Sequence, residues 1–153
     1  MKIFNCYGQE LLDEHPLVAK ESYYKYGTKE INWESEFGDS KGFDTRNKEE
    51  NGLHTIKIEL PHDTILIRYG KERNGFFTAP DGSKYENLGL PYKKETIQFH
   101  KYRVNADSIS VFCIVEKGKV APIFDSPGGA IQYYHEDNSV LELVRSKILE
   151  RII

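Results

Sequence analysis

Apolar and polar residues alternate along most of the chain after residue 53, which predicts a series of β-strands. The stretch TIKIELP (55–61) places Ile56, Ile58 and Leu60 on one face, as in a half-buried strand. Further β-prone stretches follow at 64–70, 75–80, 99–106, 109–124 and 130–135. We expect a turn at Asp81-Gly82, and a break at Lys117-Gly118 within the stretch 109–124.

The two ends of the chain have a different pattern. Near the C-terminus, SVLELVRSKILERI (139–152) spaces its apolar residues at a helical period, and Ser139 with Glu142 forms a capping box. We therefore expect a helix over 139–152. Near the N-terminus, 15–26 predicts a short helix, and the Gly-, Asp- and Asn-rich stretch 35–52 predicts a long surface loop.

Strands that do not alternate with helices indicate an α+β fold with a mainly antiparallel sheet. A chain of 153 residues buries a substantial core as a single domain. We expect residues 1–50 to form an N-terminal arm of helix and loop, and residues 53–153 to form the β-rich core.

Composition and charge narrow the classes of function. The content of 39% hydrophobic residues excludes a disordered chain, and the net charge of -3 argues against binding to nucleic acid or to membrane surfaces. The charge is uneven, because residues 1–60 hold 8 basic and 12 acidic side chains, whereas 61–153 hold 13 and 12. An anionic ligand is therefore expected on the second portion.

The chain gives little sign of a disulfide, a metal or a membrane span. Cys6 and Cys113 are far apart, and Cys113 lies in an apolar run that indicates a core position. No histidine pair has the spacing of metal ligands on a helix, so no metal site is expected. No apolar run approaches the ~20 residues of a membrane span.

Three short constellations could carry chemistry, although each taken alone is more typical of ordinary surface or core residues. In IRYGKERNGFF (67–77), Arg68 suits a phosphate or carboxylate and Phe76 offers a flat face to a ring. In QFHKYRV (98–104), His100 is a candidate proton carrier. In SPGGAIQYYH (126–135), Gly128 and Gly129 allow a ligand to approach backbone amides, and Gln132 can fix a hydroxyl or a water.

The order of these segments resembles the tuberculosis necrotizing toxin domain family. The resemblance rests on INWESEFGDSKGF (31–43), IRYGKERNGFFTAPDGSKYENLGLP (67–91), HKYRV (100–104) and GKVAPIFDSPGGAIQYY (118–134). It implies a hydrolase that cleaves NAD⁺ to nicotinamide and ADP-ribose without metal or added cofactor. NADP⁺ is a further candidate substrate. The resemblance also implies a β-rich core distantly similar to the NAD-binding cores of ADP-ribosylating toxins.

The resemblance assigns roles to single residues. Arg68 matches the arginine that holds the NAD phosphates, Phe76 an aromatic position near nicotinamide, and Gln132 the glutamine on which catalysis depends. His100 is the candidate for the family's histidine. Substrate contacts are further expected from the neighbours Tyr69 and Phe77, from Arg103 beside the phosphates, and from the amides of Gly128 and Gly129.

Two departures from the family pattern leave alternatives open. Leu88 stands where the family often has arginine, and Phe76 stands where tyrosine is common. A non-catalytic module that binds NAD or ADP-ribose therefore remains an alternative. So does an ADP-ribosyltransferase, because Glu136 closely follows Gln132. The resemblance implies a toxin effector with an immunity protein as partner, cytoplasmic as synthesised or delivered within a larger toxin by a non-classical route.

Overall fold

A computed structural model describes residues 16–28, 30–33, 40–106 and 112–152. Within them, seven strands form one antiparallel sheet in the order β1-β5-β6-β3-β2-β4-β7. The strands are β1 (Thr55–Leu60), β2 (Ile65–Tyr69), β3 (Phe77–Pro80), β4 (Phe99–Val104), β5 (Cys113–Lys119), β6 (Ile131–Tyr134) and β7 (Leu149–Arg151). The helix α1 (Val140–Arg145) and short 3₁₀ turns at Glu21–Tyr23, Tyr85–Asn87 and Lys94–Thr96 complete the elements. The mainly antiparallel sheet with little helix confirms the expected fold class at this level.

One face of the sheet carries the main hydrophobic core, and α1 packs on it. Apolar and polar residues alternate in β1 and β5, and the register pairs Leu60 with Cys113 and Ile58 with Val115. The apolar side chains of both strands therefore lie on the same face of the sheet. The core consists of Leu60, Leu66, Tyr102, Val104, Cys113, Val115, Tyr133, Val140, Leu143 and Leu149. Cys113 is a free buried thiol whose pKa burial raises to about 11, which confirms its core position. Cys6 lies outside the described residues.

The C-terminal helix begins as the sequence predicts but ends seven residues earlier than the apolar spacing suggests. Ser139 and Glu142 form the capping box, with Ser139 Oγ accepting from the amide of Glu142. The helix stops because Lys147 adopts a left-handed conformation at φ 66°, and the amide of Ile148 donates to Leu143 O. Leu149 then pairs with Val104, so the last apolar residues extend the sheet as β7.

The expected break at Lys117-Gly118 is also wrong, because β5 runs through both residues to Lys119. Gly118 is needed for packing, since a Cβ there would lie 2.6 Å from Cδ1 of Phe43. Phe43 is fully buried and forms a bridge with Val120. This contact attaches the 40–52 segment, which contains no strand or helix, to the sheet.

The N-terminal helix predicted over 15–26 is reduced to the single 3₁₀ turn Glu21–Tyr23. The backbone before the turn is extended instead, because it finds hydrogen-bond partners in residues 91–93. The amide of Ala19 donates to Pro91 O at 3.0 Å, and the amide of Lys93 donates to Leu17 O at 2.7 Å. Part of the loop predicted over 35–52 lies outside the described residues. Among the described residues, no helix is long and apolar enough to cross a membrane.

Candidate functional site

A cavity of about 650 Å³ opens where β2 ends and β3 begins, and it extends along β6. Arg68 and Tyr69 line it from β2, Phe77 from β3, and Gln132 and Tyr134 from β6. The loop 70–76 between β2 and β3 forms one side, and Pro16, Trp33 and residues 41–42 also contribute. Arg68 and Gln132, which are far apart in sequence, therefore line one cavity.

Gln132 faces the cavity because β6 alternates between two environments. Tyr133 points into the core, so the flanking Gln132 and Tyr134 project from the opposite face. Nε2 of Gln132 donates a long hydrogen bond of 3.4 Å to Lys41 O. This contact directs the amide nitrogen toward Lys41, whereas the carbonyl Oε1 makes no hydrogen bond among the described residues.

Arg68 organises the 70–76 loop as well as lining the cavity. Its Nε donates to Lys71 O and its Nη1 donates to Phe77 O, both at 2.9 Å. The guanidinium packs so closely on Gly75 that a Cβ there would lie 2.2 Å from Nη2. Burial lowers the pKa of Arg68, but an arginine remains charged. Only the N–H groups of the guanidinium that do not bind Lys71 O or Phe77 O are therefore left for a ligand.

The 70–76 loop is attached from behind by the C-terminal elements. The amides of Val140 and Leu141, at the start of α1, donate to Gly75 O and Glu72 O at 2.7 and 3.1 Å. The Glu72 carboxylate accepts hydrogen bonds from Tyr102 and Arg151. Burial acts to raise the pKa of Glu72, but these hydrogen bonds outweigh it and the pKa lies below its ordinary value.

The described lining of the cavity is cationic. Lys41, Arg68, Lys71 and Arg73 contribute to it, and no carboxylate does within the part of the chain that the structure describes. The Lys41 ammonium lies 4.5 Å from the centre of the Tyr134 ring and 3.4 Å from Oε2 of Glu116. The cavity therefore suits an anionic ligand.

Aromatic side chains form a second feature of the cavity. The ring centres of Phe77 and Tyr134 lie 5.1 Å apart, and those of Phe76 and Tyr134 lie 6.4 Å apart. Tyr69, which also lines the cavity, contacts Tyr85 at 4.9 Å. Leu88 lines the cavity too, so the residue that replaces the family's arginine is in contact with the same space.

The structure places four sequence-predicted residues outside the cavity lining. Arg103 lies opposite Ile65, three positions along the sheet from the Arg68–His100 pair, and its guanidinium binds Glu150. Its expected phosphate contact stays a prediction without support from this geometry. His100 lies beside Arg68 in the register, but its Nε2 is 2.9 Å from Gln98 Oε1 and its Nδ1 is 4.0 Å from Glu72. Its ring lies beside Glu72, and His100 is not among the residues that line the cavity.

The amides of Gly128 and Gly129 are not available to a ligand. Gly128 N donates to Ser126 Oγ at 3.1 Å, and Gly129 N donates to Val120 O at 2.8 Å. The two glycines therefore build the turn before β6, and the expected contacts of their amides with a substrate stay a prediction without support from this geometry. Sequence reasoning also missed Lys41, Lys71 and Arg73. The last two closely follow Arg68 in the same short motif and were recognisable there, whereas no local pattern distinguishes Lys41.

His135 is a buried histidine that directly follows β6. Its Nε2 lies 2.8 Å from Thr78 Oγ1, and its side chain is almost fully enclosed. Desolvation, with a smaller effect of the Arg68 charge, lowers the pKa of His135 from 6.5 to about 4. The folded protein therefore keeps this imidazole neutral at neutral pH.

The stability of the protein is expected to fall as the pH is lowered from 6.5 to 4.5. In this window His135 takes up a proton in the unfolded chain but not in the folded protein, so acid favours unfolding by about 2.5 kcal/mol. Urea unfolding across this pH range measures the effect. The His135→Asn variant should be less stable at neutral pH and should lack this part of the pH dependence. An equally steep dependence in the variant would contradict the assignment.

Comparison with known proteins identifies the family. A family model described as tuberculosis necrotizing toxin matches residues 59–152, which is more than half of the chain. The chain belongs to the tuberculosis necrotizing toxin family. This match confirms the resemblance read from the motifs, and it includes Arg68, Phe76 and Gln132. No curated protein matches the chain.

Two solved structures show the same fold at low sequence identity, and a third is similar only in part. One is tuberculosis necrotizing toxin complexed with its immunity factor, with 23% identity and a TM-score of 0.52 over 71% of this chain. The alignment spans 60% of that toxin chain. Another is Tse6 in complex with Tsi6, with 15% identity and a TM-score of 0.50, covering 76% of this chain and 81% of the other. Rhs1-CT in complex with its cognate immunity protein is 22% identical at a TM-score of 0.44, covering 65% of this chain and 77% of the other.

Proposed function

We propose that the protein is an NAD⁺ glycohydrolase of the toxin-effector type, which cleaves NAD⁺ to nicotinamide and ADP-ribose. The observation that carries the proposal is that Arg68 and Gln132 line one cavity with further cations and with no described carboxylate. These are the two residues that the family resemblance assigns to phosphate binding and catalysis. The proposal extends to NADP⁺, which has the same scissile bond.

The cavity is suited to a dinucleotide in size and charge. Its volume of about 650 Å³ lies within the range of small-molecule and cofactor sites. The pyrophosphate of NAD⁺ carries two negative charges, for which Arg68, Lys41, Lys71 and Arg73 supply opposite charge. Phe76, Phe77 and Tyr134 offer apolar surface to the nicotinamide ring.

The proposed reaction needs no strong acid or base. The bond between C1′ of the ribose and the nicotinamide nitrogen breaks, and its electron pair leaves with neutral nicotinamide. The ribose becomes an oxocarbenium-like centre, to which the oxygen of a water molecule adds, and the proton of that water passes to solvent. The protein therefore has to hold the phosphates, position the water and stabilise the developing positive charge.

Gln132 fits this task through its carbonyl oxygen. Its Nε2 is directed to Lys41 O, so Oε1 can accept hydrogen bonds from the ribose hydroxyls or from the attacking water. The negative end of the amide dipole then faces the positive charge that develops on the ribose. Arg68 would hold the pyrophosphate with the part of its guanidinium that the loop leaves unbound.

Transfer of ADP-ribose to another protein has less support from the site. The residue that motivated this alternative, Glu136, does not line the cavity of Gln132. It borders a separate depression and lies 3.5 Å from the Lys57 ammonium. A distant relation of the sheet to the NAD-binding cores of ADP-ribosylating toxins remains part of the proposal. One structural neighbour, tuberculosis necrotizing toxin, is complexed with its immunity factor, and we propose a cognate immunity protein for this chain as well.

Incubation of the purified protein with NAD⁺ tests the proposal. We expect stoichiometric free nicotinamide and ADP-ribose, at a rate that a metal chelator does not reduce. Labelled NAD⁺ with a mixture of acceptor proteins serves as a control for transfer. Label on an acceptor would contradict hydrolysis in favour of transfer. Binding of NAD⁺ without products would leave only a binding module.

A further inference from the structure

Trp33 is the single tryptophan of the chain, and it lines the cavity with a side chain that is far from buried. It remains 48% exposed, although tryptophan is among the residues with most apolar surface to bury. The match to the family model begins at residue 59, so Trp33 lies outside the matched region. It nevertheless lies within 31–43, one of the stretches on which the resemblance to the family rests.

Trp33 belongs to an aromatic group distinct from the one beside Gln132. Its ring centre lies 6.2 Å from that of Tyr92 and 5.6 Å from that of Phe124, both with edge-on geometry. Among the described residues, no ring contact joins this group to Phe76, Phe77 and Tyr134. The cavity thus has two separate aromatic surfaces, and the cations line the same space.

The backbone that presents Phe124 to Trp33 is held in an unfavourable conformation. Phe124 and Asp125 have φ of 53° and 59°, in the left-handed region that non-glycine residues rarely adopt. Tyr23 stabilises this conformation, because its hydroxyl donates to Phe124 O and contacts Asp125 Oδ2, each at 2.9 Å. Lys20 adds an ion pair to Asp125 at 2.7 Å. Tyr23 and Lys20 therefore hold in place the backbone of Phe124, whose ring contacts one side of the Trp33 indole.

We propose that Trp33, with Tyr92 and Phe124, forms a subsite that stacks on the purine base of a nucleotide. This inference rests on the proposed function, for which it supplies the place of the adenine. The indole is exposed toward a cavity with Arg68 and Lys41 in its lining, so a base can contact the ring while its phosphate meets a cation. The aromatic group of Phe76, Phe77 and Tyr134 then remains for the nicotinamide half.

Because the chain has one tryptophan, its fluorescence reports on this subsite directly. The emission of the wild-type protein is followed during titration with AMP, with nicotinamide mononucleotide and with ribose 5-phosphate, using excitation where adenine does not absorb. We expect saturable quenching by AMP and much weaker changes with the other two. Equal responses to AMP and ribose 5-phosphate, or a response to nicotinamide mononucleotide alone, would overturn the proposal. No response to AMP would overturn it as well.

Variants separate stacking from a structural role of the ring. Trp33→Ala is expected to weaken AMP binding, measured by calorimetry, and to raise the KM for NAD⁺ by about tenfold with kcat unchanged. Trp33→Phe keeps a flat ring and should restore most of the affinity. Tyr26→Ala, at a fully exposed position of the same segment, is the matched control and should change neither. Loss of kcat with unchanged AMP affinity in Trp33→Ala would contradict the subsite.

These measurements also test the purine subsite and the hydrolase proposal separately. If the protein binds AMP at Trp33 but releases no nicotinamide from NAD⁺, the hydrolase proposal fails and the purine subsite stands. If nicotinamide is released while AMP leaves the fluorescence unchanged, the hydrolase proposal stands and the subsite is wrong.

Discussion

Replacement of Gln132 by alanine is expected to lower kcat for release of nicotinamide from NAD⁺ by about 10²–10³-fold, the usual effect of losing one preorganised polar group at a developing charge. The side chain makes one long hydrogen bond to Lys41 O, so its removal should change stability by no more than about 0.5 kcal/mol. A nicotinamide assay at saturating NAD⁺ measures the first quantity, and urea unfolding measures the second.

The matched control for Gln132→Ala is Glu136→Gln. Glu136 follows the same strand but borders the separate depression beside Lys57, so its neutralisation should leave kcat unchanged. Hydrolysis that continues at the wild-type rate in Gln132→Ala would remove this residue from the mechanism. A loss in Glu136→Gln that equals the loss in Gln132→Ala would instead favour the transferase alternative.

Substitution of Gly128 by alanine is expected to destabilise the protein by about 3–4 kcal/mol, the largest stability effect that we predict. Gly128 has φ 66°, and a Cβ there would lie 2.5 Å from Val120 O and 2.7 Å from the carbonyl of Ala121. The obstructing atoms belong to backbone, which cannot move aside as a flexible side chain can. Urea unfolding with an unchanged m-value measures the loss.

The neighbouring glycine provides the control for this prediction. Gly129 also has a left-handed conformation, at φ 89°, but no atom lies within 4 Å of the position of its Cβ. Gly129→Ala should therefore cost only the conformational penalty of about 1–2 kcal/mol. Equal losses of stability in the two variants would show that the left-handed conformation alone explains the need for glycine at both positions. The close approach to Val120 and Ala121 would then add nothing.

The sequence predicted the sheet well where local alternation and tertiary structure agree. β1 and β2 lie where the period of two placed them, and the capping box at Ser139 begins α1. The helix was overextended because Leu141, Val144 and Ile148 fit a helical period equally well, whereas the left-handed Lys147 and the pairing of Leu149 with Val104 are set by the edge of β4. Tertiary pairing overrides local propensity there.

The candidate site was predictable only in part, for a similar reason. Arg68, Phe76 and Gln132 lie in recognisable motifs, and the structure brings all three to one cavity. Arg103 and the amides of Gly128 and Gly129 also lie in motifs, but their partners are Glu150, Ser126 and Val120, which sequence alone does not show. Lys41 and Trp33 lie outside the strands and helices that the structure describes, so only the folded chain brings them to the cavity.

The attachment of the 70–76 loop to the last elements of the sheet has a consequence for biosynthesis. The loop depends on the Glu72–Arg151 contact and on amides donated by Val140 and Leu141. A ribosome makes these partners long after Glu72 itself. The full set of these contacts can therefore form only after residue 151 has left the ribosome, so a nascent chain that ends earlier lacks part of the support behind the cavity.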